Sequence, residues 1–470
     1  MAKMSKENNG NGNLHIAMCP WFAFGHITSF LHLANKLAEK GNKISFFLPT
    51  KTKLKFVSHN HHPHLIDLIP ITVPAVDGLP IGAETTADVS DSNRHLIMSA
   101  VERIPETIDT HLSNLKPDFV FFDFAEWVPK IARKHQIKSV FYSTVYLSTV
   151  AYLLPQPRNL PINCFTEEEL KQPPPGYPMP SIRLQAHEAR SLANSSKTVF
   201  GGEEKSLTLL ERVEVAFKEC DAIGVKTCRE MEGTYCDYVE KHLKKPVLLA
   251  GPVVPQLPDD ELDENFKTWL QGFGKDTVLY CALGSESSLA IHQFQELVLG
   301  LELTGMPFLA ALKLPDDCLT LESALPDGFA ERTKGRGIVH IGWVQQHLIL
   351  QHPSVGCFIT HCGAGSLSEA MVTNCQLVML PLVVDQSVNA RMMSFDLKLG
   401  LEIQKRDEDG FFTKEALCKA VMIVMDTQNI LGKQLKTNHT KWKEFLLKQG
   451  VEDAYITAFI HSLQRLLTSC

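Results

Sequence analysis

The chain has 470 residues, long for one domain and ordinary for two. Its 44% hydrophobic content is enough to build cores, which excludes disorder as the dominant state. Against 53 acidic side chains stand 46 basic ones, a formal charge of −7 with no basic stripe, so no nucleic-acid partner is expected.

The polar opening, residues 1–13, lacks the apolar core of a signal peptide. Strand 14–19, helix 26–40 stopped by Gly41, and strand 43–48 make a first β-α-β unit. Strand 118–122, helix 126–135 and strand 139–141 repeat it. Such alternation predicts parallel sheets covered on both faces. The proline run within 155–180 can be neither helix nor central strand and reads as a mobile loop or a lid over a pocket.

Helix 207–219 and strand 222–225 follow, and then a proline-rich, acidic stretch at 252–264 reads as a linker. Beyond it the pattern restarts, with strand 277–283, a turn at 284–288 and helix 291–303. Strands are predicted at 337–342, 355–360 and 378–382. A last helix, 453–467, is expected to cross back onto the first half.

No stretch reaches the about 18 uninterrupted apolar residues of a membrane span, so no integral membrane segment is expected. The 12 cysteines are scattered without any C-x-x-C pair, as suits small buried hydrophobes in a reducing compartment rather than a zinc or disulfide framework. Together these features predict a cytoplasmic protein.

Parallel sheets bind ligands beyond the carboxyl ends of their strands, where helices present free N–H groups. Three strand-to-helix turns qualify. Phe24-Gly25-His26 has no G-x-G-x-x-G, which disfavours a nicotinamide oxidoreductase. Leu283 to Ser288 is small and hydroxyl-rich. Thr360-His361-Cys362-Gly363-Ala364-Gly365-Ser366 allows close backbone approach and opens a helix suited to an anion. Ser366-Leu367-Ser368-Glu369 also reads as a capping box, in which Glu369 would serve the helix alone.

The 44 residues from Trp343 to Gln386 resemble the signature box of plant UDP-dependent glycosyltransferases of secondary metabolism. Matching positions include Trp343, Gln346, His352, Pro353, Phe358, Thr360, His361, Cys362, Gly363, Ser366, Glu369, Pro381, Asp385 and Gln386. The likeness spans the whole chain. It implies an α/β, GT-B fold: two Rossmann-like domains with parallel sheets facing a central cleft. An N-terminal acceptor-binding domain is placed at 1–252, a linker at 253–264, a UDP-sugar-binding domain at 265–450, and a returning helix at 451–470.

The resemblance also implies roles. Trp343 stacks on uracil, Val344 and Gln346 border the base and ribose, and Glu369 accepts the ribose hydroxyls. His361, Ser366 and Ser285, with backbone N–H groups of Gly363, Gly365 and Gly25, hold the diphosphate. Asp385 and Gln386 bind the sugar. His26 matches the base that deprotonates the acceptor hydroxyl, and Asp123 matches its carboxylate partner. Trp21, Phe22, Phe24, Ser143, Thr144 and Val384 are the acceptor-wall candidates. The UDP-sugar is a co-substrate, so no cofactor and no metal is expected, and the chain is expected to act as a monomer.

Where most relatives carry Trp-Asn, this chain has Ala364-Gly365, and it has Asn374-Cys375-Gln376 in place of Gly-Val-Pro. Gly365, that tripeptide and the Phe22-to-His26 segment resemble the branch that adds a sugar to a flavonoid or terpenoid glycoside. Ala364 leaves room at the sugar, and glucose, rhamnose and xylose all remain open as donor. The alternatives are first-sugar transfer to an aglycone, and a non-catalytic sugar-nucleotide-binding protein.

Overall fold

The computed structural model describes residues 12–202, 206–255, 261–284 and 289–468. Short, nearly all-apolar runs make the strands, and most are buried along their length. The first sheet holds β1 (His15–Cys19), β2 (Lys43–Pro49), β3 (Ile66–Ile71), β4 (Phe119–Phe122), β5 (Lys138–Ser143), β6 (Ala222–Val225) and β7 (Val247–Leu249). Its order is β3-β2-β1-β4-β5-β6-β7, parallel throughout.

The second sheet holds β8 (Val278–Ala282), β9 (Phe308–Leu312), β10 (Gly337–Ile341), β11 (Val355–Thr360), β12 (Gln376–Met379) and β13 (Gly400–Glu402). Its order is β10-β9-β8-β11-β12-β13, again parallel. Strands buried on both faces need helical cover on both, which the crossover helices supply. In each sheet the winding reverses once, between β1 and β4 and between β8 and β11. The crevice at such a reversal is where an open α/β sheet takes its ligand.

Three buried clusters make the core. One includes Phe122 and Phe141 of the first sheet and Tyr280 and Phe358 of the second, so apolar packing runs on through both halves. Another lies under the first sheet and takes in Phe459 and Leu463 from the last helix, Val451–Thr468. The third covers the far face of the second sheet. Phe459 meets the Phe121 ring at 6.0 Å, and Glu452 pairs with Lys36 at 3.1 Å, so that helix packs on the first half.

Some expectations need correction. The strand placed at 378–382 lies at Gln376–Met379, and no strand was expected at β3, β7, β9 or β13. The proline-rich stretch, expected as a mobile loop or a lid, is packed against the core. Phe165, Leu170 and Tyr177 are buried in it, the Tyr177 hydroxyl donates to the Ser148 carbonyl (2.9 Å), and Tyr238 donates to that of Pro175 (2.9 Å). Aromatic side chains between the prolines pin it to the core. Eleven cysteines are free and mostly buried, and Cys470 lies outside the described residues. Among the described residues no helix is long and apolar enough to cross a membrane.

Candidate active site

β1 and β4 are neighbours in register, Cys19 opposite Phe122, so whatever follows each strand meets at the first winding reversal. After β1 the helix Phe24–Glu39 begins two residues earlier than expected and carries His26 in its first turn. After β4 comes Asp123. Its Oδ2 lies 2.6 Å from Nδ1 of His26, while Oδ1 accepts the N–H groups of Trp21 (2.7 Å) and Phe124 (2.8 Å). A carboxylate can only accept, so the contact assigns the hydrogen to Nδ1 of His26, which in the neutral ring leaves the lone pair on Nε2. Thr144, just past β5, sets its hydroxyl 3.2 Å from the same Nδ1. Ser143 instead donates to the Val145 carbonyl (2.8 Å), which shapes that turn.

Of the aromatic candidates, Trp21 packs between Phe124 and Phe200, each ring centroid 6.0 Å away. Phe124 then lies 5.1 Å from the His26 ring, so it joins the two. Sequence reasoning passed over Phe124, although its place directly after Asp123 was a usable signal. Phe22 is buried in the core. Phe24 stacks on Phe56 at 5.8 Å, with Lys55 over its face; two residues from His26 on a helix, it points elsewhere.

The second reversal is built the same way. Ala282 of β8 stands opposite Thr360 of β11, so the turns after them converge. The His361 ring lies between their glycines. A Cβ at Gly284 would come within 2.7 Å of its Nε2 and one at Gly363 within 2.5 Å, so neither position tolerates a side chain beside this ring. Gly284 also has φ +79°, a left-handed conformation that other residues rarely adopt. Ser285 lies outside the described residues.

From Gly363 the helix Ala364–Met371 starts. Ser366 is therefore inside its first turn rather than at the cap, and the capping-box alternative for Glu369 falls away. The Gln346 amide instead bridges the pair, donating from Nε2 to Glu369 Oε2 (2.7 Å) and to Ser366 Oγ (3.1 Å). Burial raises the Glu369 carboxyl above its ordinary range, against the pull of Gln346 and Lys226. Lys226, directly after β6, was not a sequence candidate; burial draws its ammonium down to about 7.

Around these groups there is open space. A Cβ at Gly25 or Gly365 would meet nothing within 4 Å. Trp343 is 82% exposed, a flat face available for stacking, and the next residue, Val344, is buried. Val384 and half-buried Asp385 open the helix Val384–Arg391. Gln386 Oε1 accepts the N–H groups of Leu382 (2.9 Å) and Val383 (3.2 Å), which ties the turn before that helix. Thr149 reaches across from the first half and donates to Asn389 Oδ1 (3.1 Å). The metal-compatible trio found among the described residues, Cys236, Asp237 and Glu240, is on the helix Arg229–Leu243, where Arg229 already pairs with Asp237 at 2.7 Å.

Residues 236–434 match the family model described as UDP-glucoronosyl and UDP-glucosyl transferase. The cyanidin 3-O-galactoside 2''-O-xylosyltransferase FGGT1 of Actinidia chinensis var. chinensis is 52% identical, across 97% of this chain and 100% of that protein. The anthocyanidin 3-O-glucoside 2''-O-glucosyltransferase of Ipomoea nil is 48% identical, across 96% of this chain and 98% of its own. Among solved structures, Glycyrrhiza uralensis UGT73P12, complexed with glycyrrhetinic acid 3-O-monoglucuronide, has a TM-score of 0.80 at 20% identity, covering 97% of this chain and 96% of that one. That likeness establishes the two facing Rossmann-like sheets of the GT-B fold. With relatives this similar over nearly their whole length, the chain belongs to the plant UDP-dependent glycosyltransferases and is an enzyme of that family.

Proposed function

We propose that this enzyme moves a sugar, with inversion, from a UDP-sugar to the 2''-hydroxyl of a flavonoid 3-O-glycoside. The observation that carries the chemistry is the His26–Asp123 contact of 2.6 Å at the first winding reversal. The acceptor oxygen attacks the anomeric carbon, the bond from that carbon to UDP breaks, and Nε2 of His26 takes the acceptor's proton. Asp123 fixes the ring tautomer and stabilises the imidazolium.

For the donor, the reading follows the second reversal. Trp343 and Val344 take the uracil, Gln346 and Glu369 the ribose, and His361, Ser366, Ser285 and the N–H groups of both turns the diphosphate. Asp385 and Gln386 then face the sugar. The acceptor is given to Trp21, Phe124, Thr144 and Val384. Helix N-termini and these donors supply the charge that the leaving diphosphate needs, so activity is proposed to persist in a chelator. We also take the halves to divide near 253–264, the protein to act in the cytosol and, as first expected, as a monomer.

Extension of an existing sugar is favoured by the two relatives named above, whose names specify 2''-hydroxyls of anthocyanidin or cyanidin 3-O-glycosides. Those relatives transfer xylose and glucose, and Ala364 leaves the bulk at this sugar undecided. The test is a panel of UDP-glucose, UDP-xylose and UDP-rhamnose against paired aglycone and 3-O-monoglycoside acceptors, read by mass. Product with the glycoside alone is expected; product with the aglycone alone would mean first-sugar transfer. His26→Ala is expected to abolish transfer with UDP binding intact, and unchanged turnover would refute the base.

A further inference from the structure

We propose that Glu188, far from the signature box in sequence, is a positioning residue for the turn that faces the donor sugar. It belongs to the helix Ala186–Ser195, which follows the proline-rich stretch of the first half. Its carboxylate is 5% exposed and fully engaged. Arg391 donates from Nη1 to Oε2 (2.6 Å) and from Nη2 to Oε1 (2.9 Å), Ser387 donates to Oε1 (2.7 Å), and the Gln185 N–H donates to Oε2 (2.8 Å).

Ser387 and Arg391 lie on the helix Val384–Arg391, whose first residues include Asp385 and Gln386. The other end of the turn is held from the same cluster. Lys405, also 5% exposed, stands 4.0 Å from Glu188 Oε1 and donates to the Pro381 carbonyl at 2.6 Å. Glu402, at the end of β13, accepts from Arg391 Nη2 at 3.2 Å. Two carboxylates and two cations thus face one another, three of them 5% exposed and Glu402 half-buried at the rim.

A buried, doubly hydrogen-bonded ion pair has one low-energy geometry, unlike an exposed pair that samples many. Pro381 to Gln386 therefore has no independent freedom: Lys405 holds its start, and Arg391 with Ser387 holds the helix that ends it. Glu188 joins both holds to the acceptor half, beside the Thr149 hydroxyl, which reaches Asn389 Oδ1 (3.1 Å) and the Asp385 carbonyl (3.4 Å) on the same helix. Acceptor-side backbone and sugar-facing turn form one piece. The Asp407 side chain and backbone continue the seam, accepting from the Ala186 N–H (2.9 Å) and the His187 N–H (3.0 Å).

The inference rests on the proposed sugar-facing role of Asp385 and Gln386, so Asp385→Ala is measured beside it. Glu188→Gln, Glu188→Asp and the milder Ser387→Ala are assayed for KM of the UDP-sugar, the inhibition constant of UDP alone, and the kcat/KM ratio between two UDP-sugars. Glu188→Gln is expected to raise the UDP-sugar KM about tenfold and to change donor preference, while UDP inhibition stays within about twofold. Ser387→Ala should do the same to a smaller extent, and Glu188→Asp should recover part of the loss. A lower melting temperature with KM, UDP inhibition and donor ratio unmoved, or moved together, would overturn the positioning role. If Asp385→Ala leaves the UDP-sugar KM unchanged, the sugar-facing reading fails instead.

Discussion

Asp123 shows how much one side chain is asked to do. Its Oδ1 is committed to two backbone N–H groups and its Oδ2 to His26, so an amide in its place has a forced orientation. The oxygen of Asn would stay on Trp21 and Phe124, and its NH2 would face Nδ1. That nitrogen must then accept, the hydrogen moves to Nε2, and no lone pair is left for the acceptor's proton. Asp123→Asn is therefore expected to lower kcat by about 10²–10⁴-fold with the UDP-sugar KM nearly unchanged, as steady-state kinetics would show. Little of this pairing was readable from the chain. His26 and Asp123 lie 97 positions apart and were chosen through a family likeness; only the register of β1 on β4 brings them together. Gln346 meeting Glu369 and Ser366, or Lys226 near Glu369, depends in the same way on separate elements converging.

Among the elements, β11 places His361 and has to sit tightly against its neighbour. The register with β8 slips between Val355 and Cys357, and at the slip Gly356 faces the Asp276 backbone so closely that a Cβ would collide with it. Backbone on both sides leaves nothing that can swing away. Gly356→Ala is expected to cost about 1–3 kcal/mol, read from the urea midpoint. The strands that sequence reading missed have physical explanations. β3 (Ile66–Ile71) keeps its alternation of buried and exposed positions only as far as Leu68 and carries Pro70, which a sheet accepts at an edge, where β3 lies. β9, Phe-Leu-Ala-Ala-Leu, is buried throughout, and five apolar residues carry no period that separates strand from helix. β7 and β13 are three residues each, too short for any pattern. The strands beside the reversals were legible through their setting, since each apolar run leads into a glycine- or acid-bearing turn and then a helical pattern.

Across the molecule, burial lowers several imidazoles among the described residues, and two of them strongly. Burial draws His32, under the last helix, and His439, against the Ala370 carbonyl, from 6.5 down to about 4. Between those values the unfolded chain binds protons that the folded one refuses, so stability falls as pH falls through that window. Glu232 works the other way, since burial lifts it to about 7 and the folded form gains protons between 4.5 and 7. A variant comparison separates them: His439→Asn should lose less stability between pH 7 and pH 4.5 than the parent, by about 2 kcal/mol, in denaturant unfolding at each pH. The last helix has a consequence for recombining such enzymes. It leaves the second sheet, packs under β7 and the Phe24–Glu39 helix, and sets Gln464 Nε2 on the Gly12 carbonyl at 2.9 Å. The second half is thus a cassette spliced into the first fold rather than appended to it. A chimera that swaps everything from the second sheet onward would import a foreign strut into the first half's core. Exchanging the internal cassette and keeping the native strut respects how the chain is wound.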